Sequence, residues 1–216
     1  MATFGNVCLI VAFASAIISV VLFWVGRVFA LKGRADGGER LTTFGYYATM
    51  LTFLALTASI ALLIFCFFTD NYTIQYVAQE HTTATGGMAW LYTLSGVWAG
   101  RAGSLLFWTW LISLYATVIA WRRLTKADDL SNIATSIMQL VLIMFLGVLI
   151  FSSENSPFIA TSADYLAEDG SLIGVAANWG MNILLEHWAM AIHPVTLFLG
   201  YAGLTVPFAY AVAALV

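Results

Sequence analysis

A polytopic, all-α transmembrane helical bundle is the fold class this sequence predicts, and three observations carry the prediction. Apolar residues fill 62% of its 216 positions and charged residues only 9%, whereas soluble domains run at about a quarter charged. The apolar residues gather into about five stretches long enough to cross a hydrocarbon layer, which takes roughly 20 residues of helix. The basic residues crowd the loops on one side of those stretches and almost avoid the other.

The stretches cover residues 6–31, 41–68, 104–121, 132–151 and 194–216, within a single membrane domain spanning 1–216. Several exceed the length that a perpendicular crossing needs, which permits tilt. No basic cluster precedes the first stretch, which is too long for the core of a signal peptide and reads as a retained span. Arg27, Lys32, Arg34 and Arg40 surround the first short loop, and Arg122, Arg123 and Lys126 surround the third. Only Arg101 lies on the opposite side. The positive-inside rule makes the crowded side cytoplasmic, so the N-terminus is expected outside. The two long connections, 69–103 and 152–193, then face outward, and function tends to sit in the longer loops of a rigid scaffold.

Those outer segments are not simply polar. Trp90, Leu91, Leu94, Val97 and Trp98 follow helical spacing. We read 88–99 as an interfacial amphipathic helix on the outer face, followed by a bend at 100–103. Leu184, Leu185, Trp188 and Ile192 repeat the pattern before the last span. The plainer account of these tryptophans is the aromatic belt found at any membrane surface.

Several chemistries are argued against. The spans hold no Asp, Glu, Lys or His at mid-depth, and Gln139 is their main polar side chain. Pumps and ion-coupled transporters need ionisable groups there. No pair of histidines lies within the bilayer to hold a transmembrane b haem. Cys8 and Cys66 fall inside apolar runs and read as small buried residues rather than a disulfide. No zinc spacing, Ser/His/Asp arrangement or phosphate loop is visible, and the few Lys and Arg give no nucleic-acid surface.

His193 is the strongest candidate for chemistry. It precedes Pro194, which reads as the first helical position of the last span. A neutral imidazole placed there can ligate a metal or haem iron. From position alone, a helix-flanking histidine that meets lipid headgroups is the simpler reading. His187 and Trp188 lie about a turn and a half earlier. His81 sits in a polar loop and reads as solvated. Arg101, between Trp98 and Trp108, can pair with a carboxylate such as a haem propionate or contact headgroup phosphate.

The run MNILLEHWAMAIHPVTLFLGY, from Met181 to Tyr201, resembles the CcmF/NrfE family of cytochrome c maturation proteins, whose pattern is L-N-P-L-L-Q, a short gap, then H-P-P-L-L-Y-x-G-Y. Upstream, WAGRAGSLLFW from Trp98 to Trp108 resembles the family's W-G-x-H-E-G-S-L-L-L-W. Asn155 to Phe158 resembles S-N-P-F, and Asp70 to Ala78 resembles N-D-F-T-V-x-Y-V-A. Four motifs thus occur in the family's order. The related CcsA-type pattern is less similar. Three departures stand out: Arg101-Ala102 replaces the family's His-Glu, Val195 its second Pro, and Ile183 its L-N-P Pro.

The resemblance implies haem handling on the outer face of the inner (cytoplasmic) membrane. It makes His193 an axial ligand to a transient substrate haem b, with Trp98, Arg101 and Trp188 as further contacts. It names as partners the haem chaperone CcmE, a CcmH-type thiol protein and apocytochrome c. The family's tryptophan-rich W-G-x-W-W-x-W-D segment and later histidines have no counterpart here, so the chain is expected to be the N-terminal part of such a haem lyase, split or truncated. The remaining CcmF part would then supply the tryptophan-rich segment and the integral b haem site, and the chain alone would not be active. A membrane transporter or a structural subunit of a respiratory complex is the alternative from another class.

Overall fold

The computed structural model describes residues 1–124 and 128–216; Lys126, counted above among the basic loop residues, lies outside the described residues. Among the described residues five helices are long and apolar enough to span a membrane: α1 (Ala2–Leu31), α2 (Ala35–Phe68), α5 (Arg101–Arg123), α6 (Asp129–Phe151) and α7 (Trp188–Ala213). Two shorter helices, α3 (Gln75–Glu80) and α4 (Ala89–Ala99), lie in the connection between α2 and α5. The protein is an all-α membrane bundle.

A tight turn at Lys32–Arg34, with Gly33 at φ +77°, folds α1 back onto α2. Glycine takes that left-handed backbone without the penalty a Cβ would impose. Inside lipid, apolar burial does little to hold helices together, so small residues and hydroxyls must do it. The α1–α2 seam is built that way. Ser15 Oγ lies 2.9 Å from Thr52 Oγ1, and Ser19 Oγ lies 2.9 Å from Thr49 Oγ1 while donating to Gly45 O. Nearer the turn the backbones approach so closely that a Cβ on Gly38 would stand 2.8 Å from Gly26 O.

α6 packs on α1, α5 packs on α2 and α6, and α7 leans on α5, α6 and α4. Asp128 caps α6, accepting from Ser131 N at 2.8 Å, and pairs with Arg123 at 2.6 Å. Tyr46 donates to Asn132 Oδ1 at 2.6 Å, tying α2 to α6. Leu9, Leu56, Leu63, Leu106, Met138, Leu142 and Leu146 fill the shared core. Gln139 is fully buried among them, and neither of its amide atoms has a hydrogen-bond partner among the described residues. Cys8 and Cys66 are buried and unbridged.

The chain breaks at Gly100 (φ −99°, ψ 170°), where α4 ends and α5 begins. The expected bend is therefore one residue, and Gly103 lies within α5. The expectations for the last span need correction. α7 starts at Trp188, so Pro194 sits inside the helix rather than at its first position. His187 caps it, with Nδ1 accepting from Ala189 N at 3.2 Å. Leu184 and Leu185 belong to a 3-10 turn, Ile183–Leu185, and not to a second interfacial helix.

Candidate functional site

Both long connections meet at one end of the bundle. Gln75 N donates to Ile159 O at 2.9 Å and Thr161 N to Thr73 O at 3.0 Å, laying the segment before α3 against the segment after α6. Phe158 is wholly buried over Gly5, where any Cβ would collide with its ring, and Asn6 donates to Phe158 O at 3.1 Å. Farther along, Glu186 Oε1 accepts from Thr82 Oγ1 at 2.5 Å and Thr83 N at 3.3 Å, while Met181 N donates to His81 O at 2.8 Å. These bonds clamp the approach to α7 onto the loop after α3. His81 is accordingly half-buried, tilted on Tyr72 at 5.0 Å with Nδ1 2.9 Å from Ala78 O, and not free in solvent as expected.

His193 lies in the second turn of α7. It is exposed, and its ring makes no hydrogen bond among the described residues; its carbonyl accepts from Thr196 Oγ1 at 2.8 Å. Around the same helix start stand the exposed side chains of Leu184 (81%), Trp188 (55%) and Ile192 (53%). An open imidazole near a helix start that also exposes apolar side chains suits a flat apolar ligand whose metal needs a nitrogen donor. Behind it a small cavity of about 60 Å³ is lined by Ser95, Trp98, Met181, Leu185, Met190 and Pro194. It is far too small for a macrocycle, so a ligand of His193 must lie on the surface.

The structure groups only some of the sequence-predicted residues. Trp98 backs the start of α7 through that cavity, with its ring 5.3 Å from Phe107 and its indole N–H buried without a partner among the described residues. Trp188 lies on α7 five residues before His193, which sets it about 140° round the helix from that residue. Arg101 lies elsewhere, pairing with Glu154 Oε2 at 3.2 Å in a separate cleft of about 560 Å³. That cleft also holds Glu80, a residue the sequence reading passed over. Burial pushes the Glu80 carboxyl above the usual range, because the charged form loses water there. Its only signal in sequence was its place four residues after Tyr76, on one helix face. Tyr76 is buried; its hydroxyl donates to Gly96 O at 3.0 Å and accepts from Gly100 N at 3.0 Å. Burial and the nearby Glu80 push the phenol upward, so it remains a neutral strut. Among the described residues, no three His, Cys, Asp or Glu side chains are placed to hold a metal ion.

Residues 98–216, which contain α5, α6, α7 and His193, match the model for the cytochrome C assembly protein family. The chain belongs to that family. Over 215 residues, all of this chain but 30% of the relative, it is 27% identical to the cytochrome c-type biogenesis protein CcmF of Haemophilus influenzae. Over 176 residues, 82% of this chain and 29% of the relative, it is 30% identical to NrfE of Escherichia coli K12. The solved cytochrome c heme lyase CcmF superposes on 99% of this chain and 30% of its own length, at 26% identity and a TM-score of 0.72. The chain thus spans about a third of the length of these cytochrome c assembly relatives. The membrane bundle and the family resemblance drawn from its motifs stand on these matches.

Proposed function

We propose that this chain is the N-terminal part of a cytochrome c haem lyase, holding substrate haem b at the outer face of the inner membrane through His193 for thioether attachment to apocytochrome c. The supporting observation is the His193 imidazole: exposed, without a hydrogen bond among the described residues, and near a helix start that exposes apolar side chains at the end of the bundle that carries the long connections. The gathering of basic residues at the opposite end supports placing this end outside. The family membership favours haem handling over the transporter and respiratory-subunit alternatives.

In this reading His193 gives the iron a neutral nitrogen ligand, and its position on a helix fixes the direction of that bond. Trp188 and Ile192 offer the apolar surface on which the macrocycle lies, and Trp98 supports the start of α7 from behind. The second axial ligand and the tryptophan-rich platform come from the remaining CcmF part. The chaperone CcmE delivers haem, a CcmH-type thiol protein works with the lyase in joining it to the two acceptor thiols, and the chain is inactive alone. Arg101 is paired with Glu154 in a cleft apart from His193, so Arg101→Ala weakens haem retention only modestly.

The test is His193→Ala in cells that make c-type cytochromes through this protein. Covalent cytochrome c, read by haem staining of denaturing gels, falls to background while the variant stays in the membrane at normal amount. Undiminished covalent cytochrome would remove the ligand role.

A further inference from the structure

We propose that the cleft between α3, the start of α5 and the turn Ser153–Asn155 binds the zwitterionic headgroup of an ethanolamine phospholipid, its primary ammonium on Glu80 and its phosphate on Arg101. The cleft, about 560 Å³, opens where two apolar helices end: Arg101 begins α5, and the exposed Phe151 closes α6 two residues before Ser153. Headgroups occupy that depth of a bilayer. Glu80 has no ion pair and no hydrogen bond to its carboxylate among the described residues, although it is half-buried. A buried carboxylate in that condition is stabilised by an N–H-bearing cation. Burial alone raises its pKa, and a bound ammonium would bring it back down.

The wall around it is rigid. A Cβ on Gly100 would collide with Glu80 Oε1, and one on Gly103 would collide with Val97 O and the Tyr76 hydroxyl. Gln75 and Gln79 supply amides, and Ser156 a hydroxyl, for the phosphate and ester oxygens. Among the described residues Arg101 is held only by the exposed Glu154, and exposed pairs of this kind contribute little. Its guanidinium can turn to phosphate at small cost, leaving Glu154 to water. One basic and one unpaired acidic group match a headgroup that carries both charges; a bare phosphate or a bare amine would use half of the site.

The haem-free protein is exchanged in detergent micelles containing equal phosphatidylethanolamine, phosphatidylcholine and phosphatidylglycerol, and retained lipid is counted by mass spectrometry. The unaltered protein retains about one ethanolamine lipid per chain, roughly tenfold over choline lipid, which lacks N–H donors. Glu80→Gln abolishes that preference, and Arg101→Gln lowers retention of ethanolamine and choline lipids together. On the unaltered protein, mono- and dimethylated ethanolamine lipids are retained progressively less, a readout independent of any variant's folding. Equal retention of ethanolamine and choline lipids overturns the proposal, as does a preference for phosphatidylglycerol. Retention of a lysine-containing peptide without lipid discrimination also overturns it, assigning the cleft to a polypeptide. Haem is absent throughout, so this outcome is separate from that of the His193 test.

Discussion

The α1–α2 hairpin and the closing helix α7 are both long and apolar, yet they are fastened differently. The hairpin is zipped along its length by glycine approaches and paired hydroxyls. α7 has 11% of its most apolar stretch buried, against 33% to 50% in the other four spans, and it carries two prolines, each removing a helical N–H. The hairpin has the character of a scaffold. α7 leans instead on α5 and α6 with Ala202 and Ala209 buried, and leaves His193 and a broad apolar face open. A ligand-bearing helix at the margin of a bundle can present its imidazole, whereas one zipped into the centre could not.

Substitutions at matched positions break this comparison cleanly. Gly38→Val pushes a side chain into the backbone of α1, and we expect it to destabilise the protein by about 2 kcal/mol or more, read by thermal unfolding in detergent. Gly200→Val on α7 meets nothing within 4 Å and is expected to stay within about 0.5 kcal/mol of the unaltered protein. Equal losses would mean that α7 is packed as tightly as the hairpin.

Gln139→Leu comes next. It removes two buried, unpartnered amide atoms from α6, so stability rises by about 1 kcal/mol in the same measurement. A loss would show that the amide has a partner such as ordered water.

Glu80→Gln has a smaller effect, and its pH dependence is the sharper test. The folded protein raises this carboxyl above its unfolded value, so folding binds extra proton between the two. The group's contribution is fully favourable below its ordinary pKa, and that contribution is lost as pH rises through the folded value. In detergent free of ethanolamine lipid, the variant is therefore more stable at neutral pH, and the difference closes on acidification. A gap that widens on acidification would reverse the sign of the shift.

Ser15→Ala is the mildest, at about 0.6 kcal/mol. Thr52 keeps its bond to Ala48 O when the partner is gone.

Much of the bundle was legible because lipid imposes a crude, readable requirement: long apolar runs with internally bonded backbone. The break at Gly100 was legible for the same reason, since 88–121 is too long for one crossing. The start of α7 was not. Histidine is a rare cap, and Pro194 invited a helix start that packing moved six residues earlier. The separation of Arg101 from His193 was hidden too, because Trp98 and Arg101, close along the chain, line different cavities at the α4–α5 corner. Glu80 was not singled out from the sequence because its closest neighbours, Gly96 and Gly100 at the α4–α5 corner, are brought to it by the fold. His193 was singled out by its motif and is the ligand proposed above, whereas its setting within the helix was not foreseen.

The most direct test of the central claim is optical. The chain is purified with its membrane partners after haem loading, and its reduced absorbance spectrum is compared with that of His193→Ala. The account expects the unaltered protein to retain haem with a histidine-ligated Soret and α-band pattern, and the variant to lose that signal while keeping its helicity. An identical spectrum in the variant would contradict it and place the iron on another residue.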